Sequence, residues 1–160
     1  MNKLRRFVFS VTFLSLLSCS DSAFYRADTN TPNGWSLTEV AEFKIEDTLK
    51  KPSDLYIYLR NDLDYPYANI FIIGSLLQGD SLIQRDTLEY MMAKPNGEWL
   101  GTGFLSVKES KLIWKEQWVP GFPPPYTLTL AQANRATNEV NGAEKLEGIV
   151  SVGVSVEPTE

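Results

Sequence analysis

In Asp54-Leu55-Tyr56-Ile57-Tyr58-Leu59-Arg60, every second residue is aliphatic. Along an extended strand, Leu55, Ile57 and Leu59 point to one face, and the tyrosines and the arginine point to the other. Such alternation is typical of an antiparallel sheet with one buried face. We therefore predict a β-strand over residues 54–60.

Similar segments recur on both sides of this strand, separated by clusters of Gly, Pro, Asn and Asp. We predict strands at residues 24–27, 42–46, 69–78, 81–92, 104–107, 112–118, 126–130 and 149–157. Gly79-Asp80 and Pro95-Asn96-Gly97 predict tight turns, and the proline-rich residues 120–125 predict a loop. Residues 131–140 contain better helix formers and predict a short helix or helical turn.

About eight strands in a chain of this size need two packed layers. We therefore predict an all-β fold, a two-sheet antiparallel β-sandwich of jelly-roll or immunoglobulin-like type. The sequence leaves these two types open.

The first residues of the chain have the pattern of a secretory signal. Three basic residues precede an apolar run over residues 7–17, which is too short for a stop-transfer helix. The run ends at Ser18-Cys19, which resembles the bacterial lipobox, in which the cysteine is acylated and becomes the new N-terminus. We predict a cleaved signal peptide at residues 1–18, lipidation of Cys19, a lipidated tether at 19–38 and the β-sandwich domain at 39–160.

The charge and the residue types of the mature chain disfavour several classes of protein. Without the three basic residues of the signal, 12 of the 15 basic side chains remain against 20 acidic ones, a formal charge of −8. Such a surface repels nucleic acid. The chain has no histidine and a single cysteine, so it lacks the commonest general base and zinc ligand and forms no internal disulfide. We expect no enzyme, no cofactor, no metal site and no nucleic-acid partner.

Several stretches together resemble the GldH gliding-motility lipoprotein family of the Bacteroidetes. They are residues 43–49, residues 54–60 followed by Tyr65-Pro66-Tyr67-Ala68-Asn69-Ile70-Phe71, residues 96–103, 131–135 and 146–154. Asn134 stands where the family pattern has methionine, and we expect it in an exposed turn or helix.

This resemblance implies a lipoprotein anchored in the cell envelope and facing the periplasm, with the outer membrane favoured. It further implies a requirement for gliding, protein partners in the gliding and type IX secretion apparatus, and no known catalytic residues. The sequence leaves the oligomeric state open.

A second interpretation of function comes from the aromatic residues near the proline-rich loop. Exposed aromatic rings stack on sugars or anchor protein partners. A surface glycan-binding lipoprotein is therefore the alternative function, although rings in a small sandwich more often belong to the core. The candidate contact residues are Trp99, Trp114, Trp118, Phe122 and Tyr126.

Two further patterns involve acidic residues. Asp62 and Asp64, with Asp54, have the composition of a carboxylate pair or calcium site, but a solvated loop explains them more simply. Asp followed by Ser or Thr and then by an aliphatic residue or Ala resembles the O-glycan acceptor motif of exported Bacteroidetes proteins. The alternative is that this pattern marks loops entering strands. The acceptor residues would be Ser22, Thr48, Ser81 and Thr87.

Overall fold

Ten β-strands make up the regular structure of residues 23–135 and 142–159, which are the residues that this computed structural model describes. These two ranges contain no helix, and all the strand pairs within them are antiparallel, which confirms the predicted all-β class. The strands are Tyr25–Asn30 (β1), Trp35–Ser36 (β2), Val40–Ile45 (β3), Ser53–Asn61 (β4), Asn69–Gln78 (β5), Ser81–Met91 (β6), Lys108–Trp118 (β7), Tyr126–Gln132 (β8), Lys145–Leu146 (β9) and Ile149–Pro158 (β10).

The long strands form two four-stranded sheets. The first sheet has the order β1-β10-β4-β7, the second has the order β3-β8-β5-β6, and the two-residue strands β2 and β9 pair with each other. Both sheets contribute their apolar faces to one hydrophobic core. Leu55, Ile57 and Leu59 of β4 are fully buried in it, as their alternation predicts. Burial of each such side chain contributes roughly 1.5–3 kcal/mol.

The two predicted tight turns are confirmed by their backbone geometry. Gly79 has a φ of +55° and Asp80 keeps a negative φ, which is the pattern of a type II′ turn. Gly97 has a φ of +84°, and its N–H donates to the carbonyl oxygen of Lys94 at 2.9 Å. The predicted strand at residues 69–78 matches β5 over its whole length.

The predicted strand at residues 104–107 is wrong. Thr102 and Glu109 instead exchange two backbone hydrogen bonds of 2.8 and 2.6 Å and close a tight loop. Leu105 adopts a φ of +61°, which turns the chain back on itself and is incompatible with a strand.

The predicted tether is wrong from residue 24 onward. The N–H of Phe24 donates to the carbonyl oxygen of Val156 at 2.8 Å, and β1 then pairs with β10 along its length. Trp35 is fully buried in the core. The segment looks polar because β1 is an edge strand, whose alternate side chains face solvent. The predicted signal peptide and Cys19 lie outside the described residues.

The predicted helix at residues 131–140 is also wrong where the structure describes it. Ala131 and Gln132 continue β8, and residues 133–135 are not helical. Cross-strand pairing with β3 and β5 outweighs the helix propensity of this segment. Residues 136–140 lie outside the described residues.

The loops divide between two ends of the domain. We call the end that carries Phe24 the proximal end; residues 46–52, 79–80 and 119–125 also lie there, as the strand registers require. Phe24 and Ile45, one from each side of the core, line the same groove at this end. The opposite, distal end carries the connections of residues 62–68, 92–107 and 133–148, insofar as these are described.

Gly148 allows the β9–β10 turn to pass against the loop of residues 62–65. It has a φ of +75°, and a Cβ there would meet the backbone N of Tyr65 and lie 2.7 Å from Asp62 Oδ1. We predict that Gly148→Ala lowers the free energy of unfolding by about 3 kcal/mol or more, because backbone strain and a clash add. Denaturant unfolding measures this.

Gly97→Ala is the matched control. Gly97 has a similar φ of +84° but no atom within 4 Å of its added Cβ. We expect a loss of about 1 kcal/mol from backbone strain alone. Equal losses for the two variants would contradict the close approach at Gly148.

Candidate functional site

Tyr65 is the point on which the distal loops converge. Its side chain is 3% exposed, and its hydroxyl donates to the carbonyl oxygen of Asn69 at 2.8 Å. The Tyr65 ring centroid lies 5.7 Å from that of Tyr67 and 6.1 Å from that of Trp99, so two loops pack on one aromatic residue. This packing fixes the shape of the distal end.

Asn134 completes this packing with a buried amide network. Its Oδ1 accepts the backbone N–H of Phe71 at 2.7 Å, and its Nδ2 lies 3.4 Å from both the Tyr65 hydroxyl and the carbonyl oxygen of Asn69. The expectation that Asn134 is exposed is wrong, since it is 2% exposed. An asparagine is suited to this position because the N–H of Phe71 needs an acceptor once it is removed from water.

Gln132 extends the network to the segment that precedes β9. Its Nε2 donates to the carbonyl oxygen of Ala143 at 2.7 Å, and its Oε1 accepts the N–H of Asn134 at 3.0 Å. The N–H of Ala143 donates in turn to the carbonyl oxygen of Asn134 at 2.7 Å. The two described parts of the β8–β9 connection are therefore held to each other and to the core.

Phe104 and Leu105 form an exposed apolar tip on this rigid end. They are 87% and 82% exposed, the largest exposures among the large hydrophobic side chains of the described residues. The loop is held by the Thr102–Glu109 backbone pair, and Lys108 Nζ donates to the carbonyl oxygen of Gly103 at 3.2 Å. A Cβ on Gly103 would collide with the carbonyl oxygen of Val107. The tip is therefore presented in a defined shape, which is typical of a binding surface.

Sequence reasoning missed this tip because it assigned residues 104–107 to a strand. The available signal is local: two glycines, Gly101 and Gly103, come immediately before the two apolar residues. Glycines at positions of close backbone approach mark tight loops rather than strand interiors.

The outer face of the first sheet carries a network of charges and rings, in which Arg26 and Glu157 lie toward the proximal end. Arg26 lies 4.1 Å from the centroid of the Tyr58 ring, and the Tyr58 hydroxyl donates to Glu157 Oε1 at 2.9 Å. Lys111 Nζ donates to Glu157 Oε2 at 2.5 Å and lies 4.0 Å from the centroid of the Tyr56 ring.

The pKa values of this network follow from those contacts. Partial burial by itself would raise the pKa of Glu157, but hydrogen bonds from Lys111, Ser155 and Tyr58 outweigh it, so the pKa is lowered. Burial works in the opposite direction on Lys111, and its bond to Glu157 outweighs it and raises the pKa. Both groups stay charged at neutral pH, so they form an ion pair rather than a proton-transfer pair.

Comparison with known proteins identifies the family of this chain. The family model described as GldH lipoprotein matches residues 23–156, which is most of the chain. The chain belongs to the GldH lipoprotein family.

Two GldH relatives are similar over most of their own length. "Gliding motility lipoprotein GldH homolog" of Christiangramia forsetii is 37% identical over 155 residues, which cover 96% of this chain and 95% of the relative. "Gliding motility lipoprotein GldH" of Flavobacterium johnsoniae is 35% identical over 144 residues, which cover 89% of each chain.

The stretches that carry the GldH resemblance meet largely at the distal end. Tyr65, Trp99 and Asn134 come from three such stretches and form the packing described above. Gly148, from a fourth, packs against Tyr65. They are far apart in the sequence and adjacent in the fold.

The aromatic residues predicted to contact a partner or glycan do not form a platform in this GldH chain. Trp114, Trp118 and Tyr126 are buried, and Trp99 and Phe122 pack half-buried against the core. The predicted contact role is therefore wrong for the three buried rings. The core takes them because their large apolar area is most stabilising there.

The three aspartates considered as a carboxylate site are not brought together. Asp54 is at the proximal end, where its Oδ1 accepts the N–H of Gln117 at 2.8 Å. Asp62 is at the other end of β4, where its Oδ1 accepts the N–H of Asp64 at 2.9 Å and stabilises a turn. Within the described residues there is no group of three or more Asp, Glu, His or Cys side chains placed to hold a metal ion, and no helix that could cross a membrane.

The predicted acceptor residues that the structure describes are all exposed. Thr48 lies in the β3–β4 loop, Ser81 begins β6, and Thr87 lies within β6, while Ser22 falls outside the described residues. Their modification remains a prediction.

We predict that peptides containing Thr48 and Ser81 carry added glycan mass in protein purified from its native host. Exposure gives a glycosyltransferase access to each hydroxyl. Peptide mass spectrometry measures this, with the Ala variant at each position as its control. Unmodified masses at both positions would contradict the motif.

Tyr65 and Tyr90 should make the domain sensitive to alkali. Burial raises the pKa of Tyr90 to about 12, with a further contribution from the charge of Asp86. Burial also raises the pKa of Tyr65, further than that of Tyr90. Above pH 10 the unfolded chain releases these protons and the folded chain keeps them, so stability falls as pH rises.

Denaturant unfolding of the detergent-solubilised full chain at several pH values between 9 and 12 measures this slope. We predict that Tyr65→Phe and Tyr90→Phe each reduce it by up to about 1.4 kcal/mol per pH unit. Slopes equal to that of the parent chain in both variants would contradict the prediction.

Proposed function

We propose that this chain is a lipid-anchored, non-catalytic component or assembly factor of the gliding-motility and type IX secretion machinery. The observation that carries the proposal is the exposed apolar tip of Phe104 and Leu105 on a member of the GldH lipoprotein family. Both relatives are named for gliding motility. Their names support the first part of the proposal, and the link to secretion extends it.

Acylation of Cys19 would provide the membrane anchor. Each buried methylene of an acyl chain contributes about 0.8 kcal/mol, and two or more chains give stable attachment. Cys19 is five residues before Phe24, so the two Cα atoms are separated by at most about 18 Å. The proximal end is thereby kept close to the bilayer, and we place the domain in the periplasm, with the outer membrane favoured.

The position of the apolar tip opposite this end favours a protein as its partner. Phe104 and Leu105 lie at the far end of strands that begin or end near Phe24. An exposed aromatic and aliphatic pair in a fixed loop is suited to insertion into an apolar pocket of another protein.

A catalytic role is less well supported than a binding role. The acidic side chains that would supply catalysis accept hydrogen bonds that stabilise turns and strand ends, and the chain has no histidine. The glycan-binding alternative loses its main support, since three of its five rings are buried.

The strand order favours the jelly-roll type of sandwich over the immunoglobulin-like type. With β2 and β9 set aside, consecutive strands alternate between the two sheets at every step except the β5–β6 hairpin. An immunoglobulin-like sandwich keeps several consecutive pairs in one sheet. A double Greek key, by contrast, moves the chain back and forth between its sheets.

Replacement of the gene by variants in the native host tests the proposal. We predict that Phe104→Ser with Leu105→Ser leaves the protein membrane-bound but abolishes colony spreading and co-purification with gliding and secretion proteins. Val119→Ser changes an apolar residue at the proximal end that is 59% exposed; it is the control and should behave as the parent. Cys19→Ser should release the protein from the membrane.

Three outcomes would contradict the proposal. Normal spreading and secretion in the Phe104 and Leu105 variant would show that the tip is not a partner-binding site. Unchanged membrane fractionation and fatty-acid labelling in Cys19→Ser would remove the anchor. Normal spreading and secretion in a strain without the gene would remove the role itself.

A further inference from the structure

Strand β6 leaves one edge of the second sheet open. It is 11 residues long, and among the strands of residues 23–135 and 142–159 it pairs only with β5. Unpaired N–H and C=O groups along an edge are a template for another strand. Strand β7, an edge of the first sheet with the same length, is a poorer template because its register shifts twice and its Ile113 carbonyl accepts the Tyr90 hydroxyl at 2.6 Å.

The solvent-facing side chains of β6 form a self-complementary series. Alternate residues Asp86, Leu88 and Tyr90 are half-buried, and the residues between them are exposed. The exposed series, in order, is apolar, positive, neutral, negative and apolar: Ile83, Arg85, Thr87, Glu89 and Met91.

Antiparallel pairing of two copies of β6 would match this series to itself. With Thr87 opposite Thr87 of the second copy, each Arg85 lies opposite a Glu89, and each Ile83 lies opposite a Met91. Opposite charges and apolar pairs directly across an antiparallel ladder stabilise it. A two-fold axis requires this self-complementarity, since the same surface is used twice.

The side chains that would meet across the β6 contact can be compared in the single chain. Arg85 makes no ion pair with any other described residue, and Glu89 accepts the side-chain amide of Asn69 at 2.7 Å. Arg85 and Glu89 are four residues apart on one strand, so their Cα atoms are about 14 Å apart. Ile83 and Met91 are 48% and 61% exposed.

We propose that two copies of this chain associate through β6, antiparallel and centred on Thr87, to form one continuous eight-stranded sheet. The contact uses one strand from each copy and belongs to the class of small interfaces, so association depends on concentration. This proposal uses a different surface from the distal tip and holds whether or not the proposed function does.

Disulfide trapping at the two-fold axis tests the register. In the proposed dimer the Cα atoms of the two Thr87 residues lie about 4.5–5.5 Å apart, within the range of a disulfide. Thr87→Cys in the full chain should therefore give a crosslinked dimer when isolated membranes are mildly oxidised. The parent chain, whose only cysteine is Cys19, measures the background.

Ser81→Cys is the matched control on the same strand. Ser81 is exposed, but in this register it is 12 residues out of alignment with Ser81 of the second copy, roughly 40 Å away. Crosslinking at least about fivefold above this control supports the register. Equal crosslinking of the two variants would overturn it.

Charge reversal then tests the pairing itself. In the Thr87→Cys chain, Arg85→Glu or Glu89→Arg alone creates two like-charge pairs, and we expect roughly five- to tenfold less crosslinking. The two reversals together restore two opposite-charge pairs and should restore crosslinking. Failure of the double variant to recover, or no loss in the single variants, would overturn the proposal.

Thr87 also matches the acceptor motif, but a glycan on this residue and the pairing of β6 exclude each other. A glycan on Thr87 would fill the space of the second strand. Full glycan occupancy at Thr87 in the mature protein would therefore overturn the pairing, and an unmodified Thr87 leaves the edge open and supports it.

Discussion

The rest of the structure depends on the pairing of β10, the last strand, between β1 and β4. The side chains of Val152, Val154 and Val156 are fully buried, and the strand is hydrogen-bonded on both of its edges. This arrangement joins the first and last segments of the domain. The first sheet therefore cannot be completed until the chain is present to its C-terminal strand, which is typical of β-folds dominated by non-local pairs.

The same pairing places the start of the domain a few residues from Cys19, the proposed site of the lipid anchor. Because β1 is already part of the first sheet at Tyr25, few residues separate Cys19 from rigid structure. With the proposed anchor at Cys19, a partner at the distal end would be held at a distance from the bilayer set mainly by the length of the strands. This geometry suits a subunit that positions other proteins relative to a membrane.

The surfaces of the domain are specialised in different ways. On the outer face of the first sheet, Arg26, Tyr58, Lys111 and Glu157 contact one another in a network of charges and rings. The distal tip and the β6 edge have the opposite character, since both expose apolar groups that the domain does not use internally. Binding is therefore expected at the tip and the edge.

The strands with strict alternation, such as residues 54–60, could be predicted because apolar and polar side chains alternate along the sequence in step with the buried and exposed faces. Glycine and proline turns were predictable for the same local reason, at Gly79 and Gly97. β1 was predicted only in part, as a short strand at residues 24–27, because half of an edge strand faces water and the rest of the segment has the composition of a tether. The candidate site was also missed: Asn134 looked exposed, and Phe104 and Leu105 looked like part of a strand.

The sequence by itself determined the all-β class and the face of each regular strand that is buried, because these follow from the period of side chains along an extended backbone. Its resemblance to the GldH family was likewise carried by short stretches of residues. The tertiary structure alone decided that Tyr65, Trp99, Asn134 and Gly148 meet and that three of the five candidate aromatics are buried. These facts depend on which strands become neighbours. Such contacts join residues far apart in the chain, so no pattern of adjacent residues predicts them.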